Sequence, residues 1–211
     1  MPAHDRAALS ALFAIDAAMG DVVRTTREPL LGPIRLAWWR ERLEELDSGS
    51  PPPAEPRLEA VAHELLPRGV SGRDCGALTG GWLRLFDPFP WDVETAEAIW
   101  FRGNLLFGLG ARLIGKADDV IQAAGGVWAV VDAARHCSDG RSRTMLIDRA
   151  CTLGSGLARM KFSPAMRPLS MLAALALRDC RHGEPFEREG TPGRALAMLR
   201  HRWSGRLPGQ S

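Results

Sequence analysis

The stretch ALSALFAIDAAMGDVVRTTREPLLGPIRLAWWRERLEEL, residues 8–46, decides the fold class. Leu9, Leu12, Phe13, Met19 and Val23 recur at steps of three or four, which lays one apolar stripe along a first helix. Leu36, Trp39, Leu43 and Leu46 repeat the pattern on a second helix. Pro29 and Pro33 punctuate its start, where proline costs a helix least. The prolines, glycine and serines of SGSPPPAEP, residues 48–56, cannot continue that helix and read as a loop, not a domain boundary. Beyond the loop the period stays helical. Helices are predicted over about 57–66 and 77–86, then from an Asp92 N-cap, and over about 117–137, 142–153, 164–181 and 192–204. No alternating strand, Asn-Gly hairpin or βαβ rhythm interrupts them. The expectation is an all-α protein, one domain over residues 1–211, with eight to nine helices.

Composition narrows the function. A net charge of +2 on 211 residues does not suit nucleic acid as the main partner. The longest charge-free apolar run, Val120–Val131, is too short for a membrane span, which takes roughly 20 residues. The N-terminus carries His4, Asp5 and Arg6 and does not have the form of a secretory signal. Cys75, Cys137, Cys151 and Cys180 show no CxxC spacing, which argues against zinc and fits thiols in a reducing cytosol. Of the 27 basic residues 25 are arginine, whose planar fork suits phosphate and carboxylate. The charge is uneven: residues 155–211 hold ten Lys/Arg against four Asp/Glu, while residues 41–66 hold seven acids against two arginines. The basic C-terminal region is a candidate contact for anionic lipid at a membrane surface.

Two places stand out for chemistry. Asp16 falls on the apolar face defined by Leu12, Phe13 and Met19, so its carboxylate must be paired or must face a wet cavity. Arg24, Arg27, Arg35, Arg40 and Arg42 are the nearby partners. In GGVWAVVDAARHCSD, residues 125–139, Asp132, Arg135, His136 and Asp139 stand at helical steps, so Asp132, Arg135 and Asp139 can share a face. Glycines inside the helices (Gly20, Gly103, Gly108, Gly110, Gly125, Gly126) each cost about 1 kcal/mol against alanine. They imply close helix packing or room left for a ligand.

EPLLGPIRLAWWRERLEEL (28–46), LRLFDPFPWDVETAEAIWFRGNLLFGLGARLIG (83–115) and TPGRALAMLRHRWSGR (191–206) together resemble the squalene/phytoene synthase family of head-to-head prenyl transferases. The tryptophan-rich first token resembles in particular a short branch that includes a mitochondrial assembly factor of respiratory complex I. The resemblance implies an isoprenoid-synthase-like helical bundle with a central cavity. It also implies two aspartate-rich motifs whose carboxylates hold Mg²⁺ against a departing diphosphate.

This chain departs from those motifs. A D-D-x-x-D pattern falls on GDVVR (20–24), where only Asp21 remains and Arg24 takes an outer position; Phe13 stands where the family has tyrosine. The second motif, N-x-x-x-D-x-x-x-D, falls on Asp132, His136 and Gly140, and Asp139 misses the register by one residue. The candidate substrate-binding residues are therefore Phe13, Asp16, Asp21, Arg35, Asp132 and Arg135. Asp21, Asp132 and Asp139 are weak metal candidates, with Mg²⁺ as cofactor only if catalysis survives. The expected function is binding by a non-catalytic relative: a protein partner, a membrane surface or an isoprenoid-like lipid, in the cytoplasm and peripheral to the inner membrane. The alternative is an active prenyl transferase condensing allylic diphosphates.

Overall fold

The computed structural model describes residues 2–28, 30–115 and 118–209, and among these the chain is all-α with no strand. Its helices are α1 (Ala3–Thr25), α2 (Leu31–Leu46), α3 (Pro56–Glu64), α4 (Gly72–Gly76), α5 (Thr79–Leu83), α6 (Val93–Leu113), α7 (Asp119–His136), α8 (Gly140–Gly154), α9 (Arg167–His182) and α10 (Pro192–Ser204). Eight of the ten have nine residues or more, which meets the sequence expectation. Pro29, within the predicted start of α2, and residue 117, the predicted start of α7, lie outside the described residues.

The departures have local causes. Pro56, expected in the loop, is the first residue of α3, and the Glu55 side chain accepts hydrogen bonds from Arg57 N (2.8 Å) and Leu58 N (3.0 Å) to start that helix. The helix predicted over 77–86 is the short α5 followed by a 3-10 turn, Arg84–Phe86. Helix begins earlier, at Gly72, because Ser71 and Asp74 form a reciprocal capping box: Ser71 Oγ accepts from Asp74 N at 3.0 Å, and Asp74 Oδ2 accepts from Ser71 N at 3.3 Å. Asp47, just past α2, holds the same turn by accepting from Gly72 N (2.6 Å) and Arg73 N (2.9 Å). Asp92 caps α6 as expected, accepting from Thr95 N at 2.9 Å.

Contacts within the chain gather into two compact units, Met1–Asp87 with Leu109–Ala117, and Pro88–Gly108 with Asp118–Ser211. In the first, α1 packs on α3 and α2, and α2 on α4 and α5. Leu12 and Met19 of α1 and Leu36 and Leu43 of α2, from the stripes read from the sequence, are fully buried there, as is Ile15, which that reading left out. Leu9 of the same stripe is buried, whereas Phe13 is only half-buried. In the second unit α7 is buried nearly all round and packs on α8 and α9, while α10 packs on α9. A helix apolar on every side is a core helix.

The interior glycines of this unit serve close packing. A Cβ on Gly125 would overlap the backbone oxygen of Gly103 and the ring of Phe107, and one on Gly126 would overlap the indole of Trp100. The backbones of α6 and α7 therefore touch where those glycines cross. Gly125→Ala is expected to destabilise the protein by about 2–3 kcal/mol, because the opposing atom is main chain and cannot swing away. Gly80→Ala, whose Cβ meets open space, is expected to be neutral or stabilising by up to about 1 kcal/mol. Urea denaturation midpoints of the two variants decide the point.

Candidate functional site

Of the residues singled out from the sequence, Phe13, Asp16, Asp21 and Arg35 belong to the first unit, and Asp132, Arg135 and Asp139 to the second. Asp16 is buried, and its Oδ1 accepts from the indole N–H of Trp82 at 2.8 Å. The arginines near it in sequence are not its partners: Arg24 pairs with Asp21 (2.6 Å), Arg42 with Glu45 (2.6 Å) and Arg40 with Glu44 (4.0 Å). Arg35 is exposed and donates to Thr26 Oγ1 at 2.8 Å. The indole of Trp82 also closes over Gly20, 2.8 Å from where a Cβ would stand, so the first motif position is packed against an aromatic ring.

On α7 the expected common face of Asp132, Arg135 and Asp139 does not form. The helix ends at His136, and Asp139 instead caps α8, its Oδ2 accepting from Ser142 N (2.8 Å) and Ser142 Oγ (2.7 Å). Those bonds, the Ser142 hydroxyl's first, hold the Asp139 carboxyl below the usual carboxylate range. Asp132 lies 3.7 Å from His136 Nδ1. Arg135 turns away from its own helix. Its guanidinium donates to Asp179 Oδ2 on α9 (3.0 Å) and to the Glu187 carbonyl oxygen (2.9 Å), and it sits over the Phe186 ring.

Asp179, which sequence reasoning missed, is the focus of this region. It is 2% exposed, and its second oxygen accepts from Arg194 of α10 at 2.6 Å. The signal was available: Asp179 follows Ala173 and Ala176 at steps of three on a buried face, the same reasoning that singles out Asp16. Beside it Glu187 accepts from Thr191 Oγ1 (2.6 Å) and from Arg178 Nη2 (2.8 Å), and these bonds hold its carboxyl below the usual range.

Asp132, Arg135, Asp179, Glu189, Thr191 and Arg194 form the polar end of a cavity of about 380 Å³ between α7, α9 and α10. Trp128 and Val131 of α7, Leu172 and Leu175 of α9 and Met198 of α10 make its apolar wall. Asp132 and Arg135 line it together. Its two arginines are already engaged by Asp179, and Asp132 and Glu189 also line it, so the cavity offers an apolar trough whose charged end holds three carboxylates against two guanidiniums. That suits an apolar chain better than a bare diphosphate.

α10 is fixed on its far side by His201, 2% exposed, whose Nδ1 donates to the Arg206 carbonyl oxygen (3.0 Å) while Nε2 accepts from Ser170 Oγ (2.8 Å). Burial pushes the imidazole's pKa down; the Arg206 carbonyl opposes this and the Arg167 charge adds to it. Cys75 and Cys180 are poor nucleophiles, the first pushed up to about 12 by burial and the second raised by burial and by Cys151 beside it.

Asp179→Asn leaves two largely buried guanidiniums without their counter-charge and is expected to cost about 3 kcal/mol in urea denaturation. For His201 the folded pKa lies below the unfolded one, so its stabilisation is present at pH above about 6.5 and is lost as pH falls below that value. Melting temperatures between pH 7.5 and 5 are expected to fall more steeply in the wild type than in His201→Asn. Losses from Asp139 and Glu187 come later, below about pH 4.

No protein-family model, curated protein or solved structure matches the chain.

Proposed function

We propose that the chain is a squalene/phytoene synthase-like protein that keeps a helical scaffold, has given up metal-dependent prenyl transfer and acts by binding. The observation that carries the reading is Arg24 seated on Asp21 at 2.6 Å. A synthase of that family would place a magnesium-binding carboxylate at each of these motif positions. Here the one remaining carboxylate is met by a guanidinium from its own helix. The residues of the second motif fit a metal no better, because the Asp139 carboxylate is held as a helix cap, its Oδ2 accepting two hydrogen bonds from Ser142. These residues do not fit a magnesium diphosphate centre.

Among the three kinds of partner the resemblance implies, the trough between α7, α9 and α10 favours an isoprenoid-like lipid. Its volume of about 380 Å³ falls in the range of small-molecule sites, and Trp128, Val131 and Met198 offer an apolar wall. No helix among the described residues is long and apolar enough to cross a membrane. On this reading the protein is cytoplasmic and peripheral to the inner membrane, where prenyl chains are dissolved. A protein partner in an assembly-factor-like role is compatible with the same scaffold.

Incubation with farnesyl or geranylgeranyl diphosphate and Mg²⁺ is expected to yield no condensed hydrocarbon. Mg²⁺ with inorganic pyrophosphate is expected to leave the melting temperature unchanged. A condensed product overturns the proposal in favour of the active prenyl transferase. Titration with farnesol, followed by intrinsic tryptophan fluorescence, is expected to saturate in the wild type and to be abolished by Ala195→Trp, which fills the trough.

A further inference from the structure

α10 presents a face that the rest of the second unit does not cover. Leu196, Leu199 and Trp203 are 54%, 48% and 77% exposed. At 100° per residue they fall within about 60° of arc, with Arg200 on one flank and Arg202 on the other. The opposite side of the helix is fixed: His201 is buried against Ser170, and Arg194 is held by Asp179. The helix therefore cannot roll its apolar stripe inward. Single exposed apolar residues are ordinary, but three in register on one helix with a tryptophan 77% exposed are not.

The charge around this stripe has one sign. From Gly190 to Gly209 the chain carries four arginines and no acid. Among the described residues no carboxylate lies within ion-pair distance of Arg200, Arg202 or Arg206. A groove of about 450 Å³ between α9 and α10 runs beside Leu196 and is lined by Arg181, Arg200 and Arg206, and by Arg178, which is paired with Glu187. Lys161 joins the same end, paired with Arg206 across an isolated antiparallel bridge that Phe162 N→Gly205 O and Leu207 N→Met160 O, both 2.8 Å, hold in place. α2 exposes a comparable stripe, Leu31, Ile34 and Trp38, beside the exposed Arg35, but it continues into Glu41, Glu44 and Glu45, which sit against Arg40 and Arg42. Cations flanking apolar residues complement anionic headgroups over an acyl boundary; acids in that position do not.

We propose that α10 is a docking face for an anionic phospholipid surface. Leu196, Leu199 and Trp203 enter the headgroup boundary, where tryptophan is at home, and Arg200, Arg202, Arg206 and Lys161 meet lipid phosphates. The inference deepens the peripheral-membrane part of the proposed function; loss of prenyl transfer is a separate matter, tested by product formation.

The test is co-sedimentation of the full chain with phosphatidylcholine vesicles and with vesicles containing phosphatidylglycerol at low and physiological salt. Binding is expected only with the anionic vesicles and is expected to weaken as salt rises. Arg200→Glu with Arg202→Glu is expected to weaken it about tenfold or more, and Leu196→Ser with Leu199→Ser by a similar factor, with melting temperatures unchanged. Leu31→Ser with Ile34→Ser on α2 is expected to leave binding intact. Anionic binding that both α10 variants retain keeps the peripheral reading and overturns the α10 face. No binding to any vesicle overturns both, and dimerisation through α10 in light scattering without vesicle binding assigns the face to a second copy instead.

Discussion

Asp179 carries its charge among the alanine and leucine side chains of α9, where an unpaired carboxylate would cost several kilocalories per mole. It is tolerated because Arg135 of α7 and Arg194 of α10 close on its two oxygens, at 3.0 and 2.6 Å. A buried ion cluster adds little net stability compared with apolar residues of the same volume, but its geometry is demanding. Three helices must stand in one arrangement for both bonds to form. The trough between them and the outward face of α10 both follow from that requirement.

The clasp also decides what the trough can hold. Both guanidiniums at its polar end are engaged, and Glu187, which is tied to Arg178 and Thr191, stiffens the segment that leads into α10. A diphosphate entering there would have to compete with carboxylates already at hydrogen-bond distance. An apolar chain needs no such exchange. The arginine excess of the sequence thus splits into two populations. Some, like Arg135, Arg178 and Arg194, are consumed in holding the second unit together. Others, like Arg200, Arg202 and Arg206, remain at the surface without a carboxylate partner.

The helical period of the apolar residues was enough to read the fold class, because a stripe at steps of three and four has no other regular use. Boundaries were read well where a cap carried them, as at Asp92, and poorly where a cap box lay in a glycine-containing segment taken for a connection, as at Ser71 and Asp74. Asp16 was legible as a carboxylate on an apolar face, but its Trp82 partner lies 66 residues away and leaves no trace in local spacing. Arg135 was legible as a charged residue of interest; its partners were misread for the same reason, since they stand on α9 and on the segment between α9 and α10. Asp139 was placed on α7 by counting steps past the point where the helix stops. A periodicity argument holds only as far as the helix does, and the residue that ends a helix is set by capping chemistry and not by period.

α10 meets both proposed ligands at once. Its Arg194, Ala195 and Met198 border the trough, and Leu199 lies one helical step of four residues from Ala195. A lipid surface resting on Leu196, Leu199 and Trp203 therefore lies alongside the margin of the trough instead of across the protein from it. For a chain soluble only in lipid, that adjacency matters: the cost of exposing an apolar chain to water grows by about 0.8 kcal/mol for each CH₂. A path that keeps most of the chain against lipid or protein avoids most of that barrier. Rigid seating of α10 by His201 and Arg194 is what keeps its two working sides in register, and a helix free to roll would lose the trough margin whenever it buried its stripe.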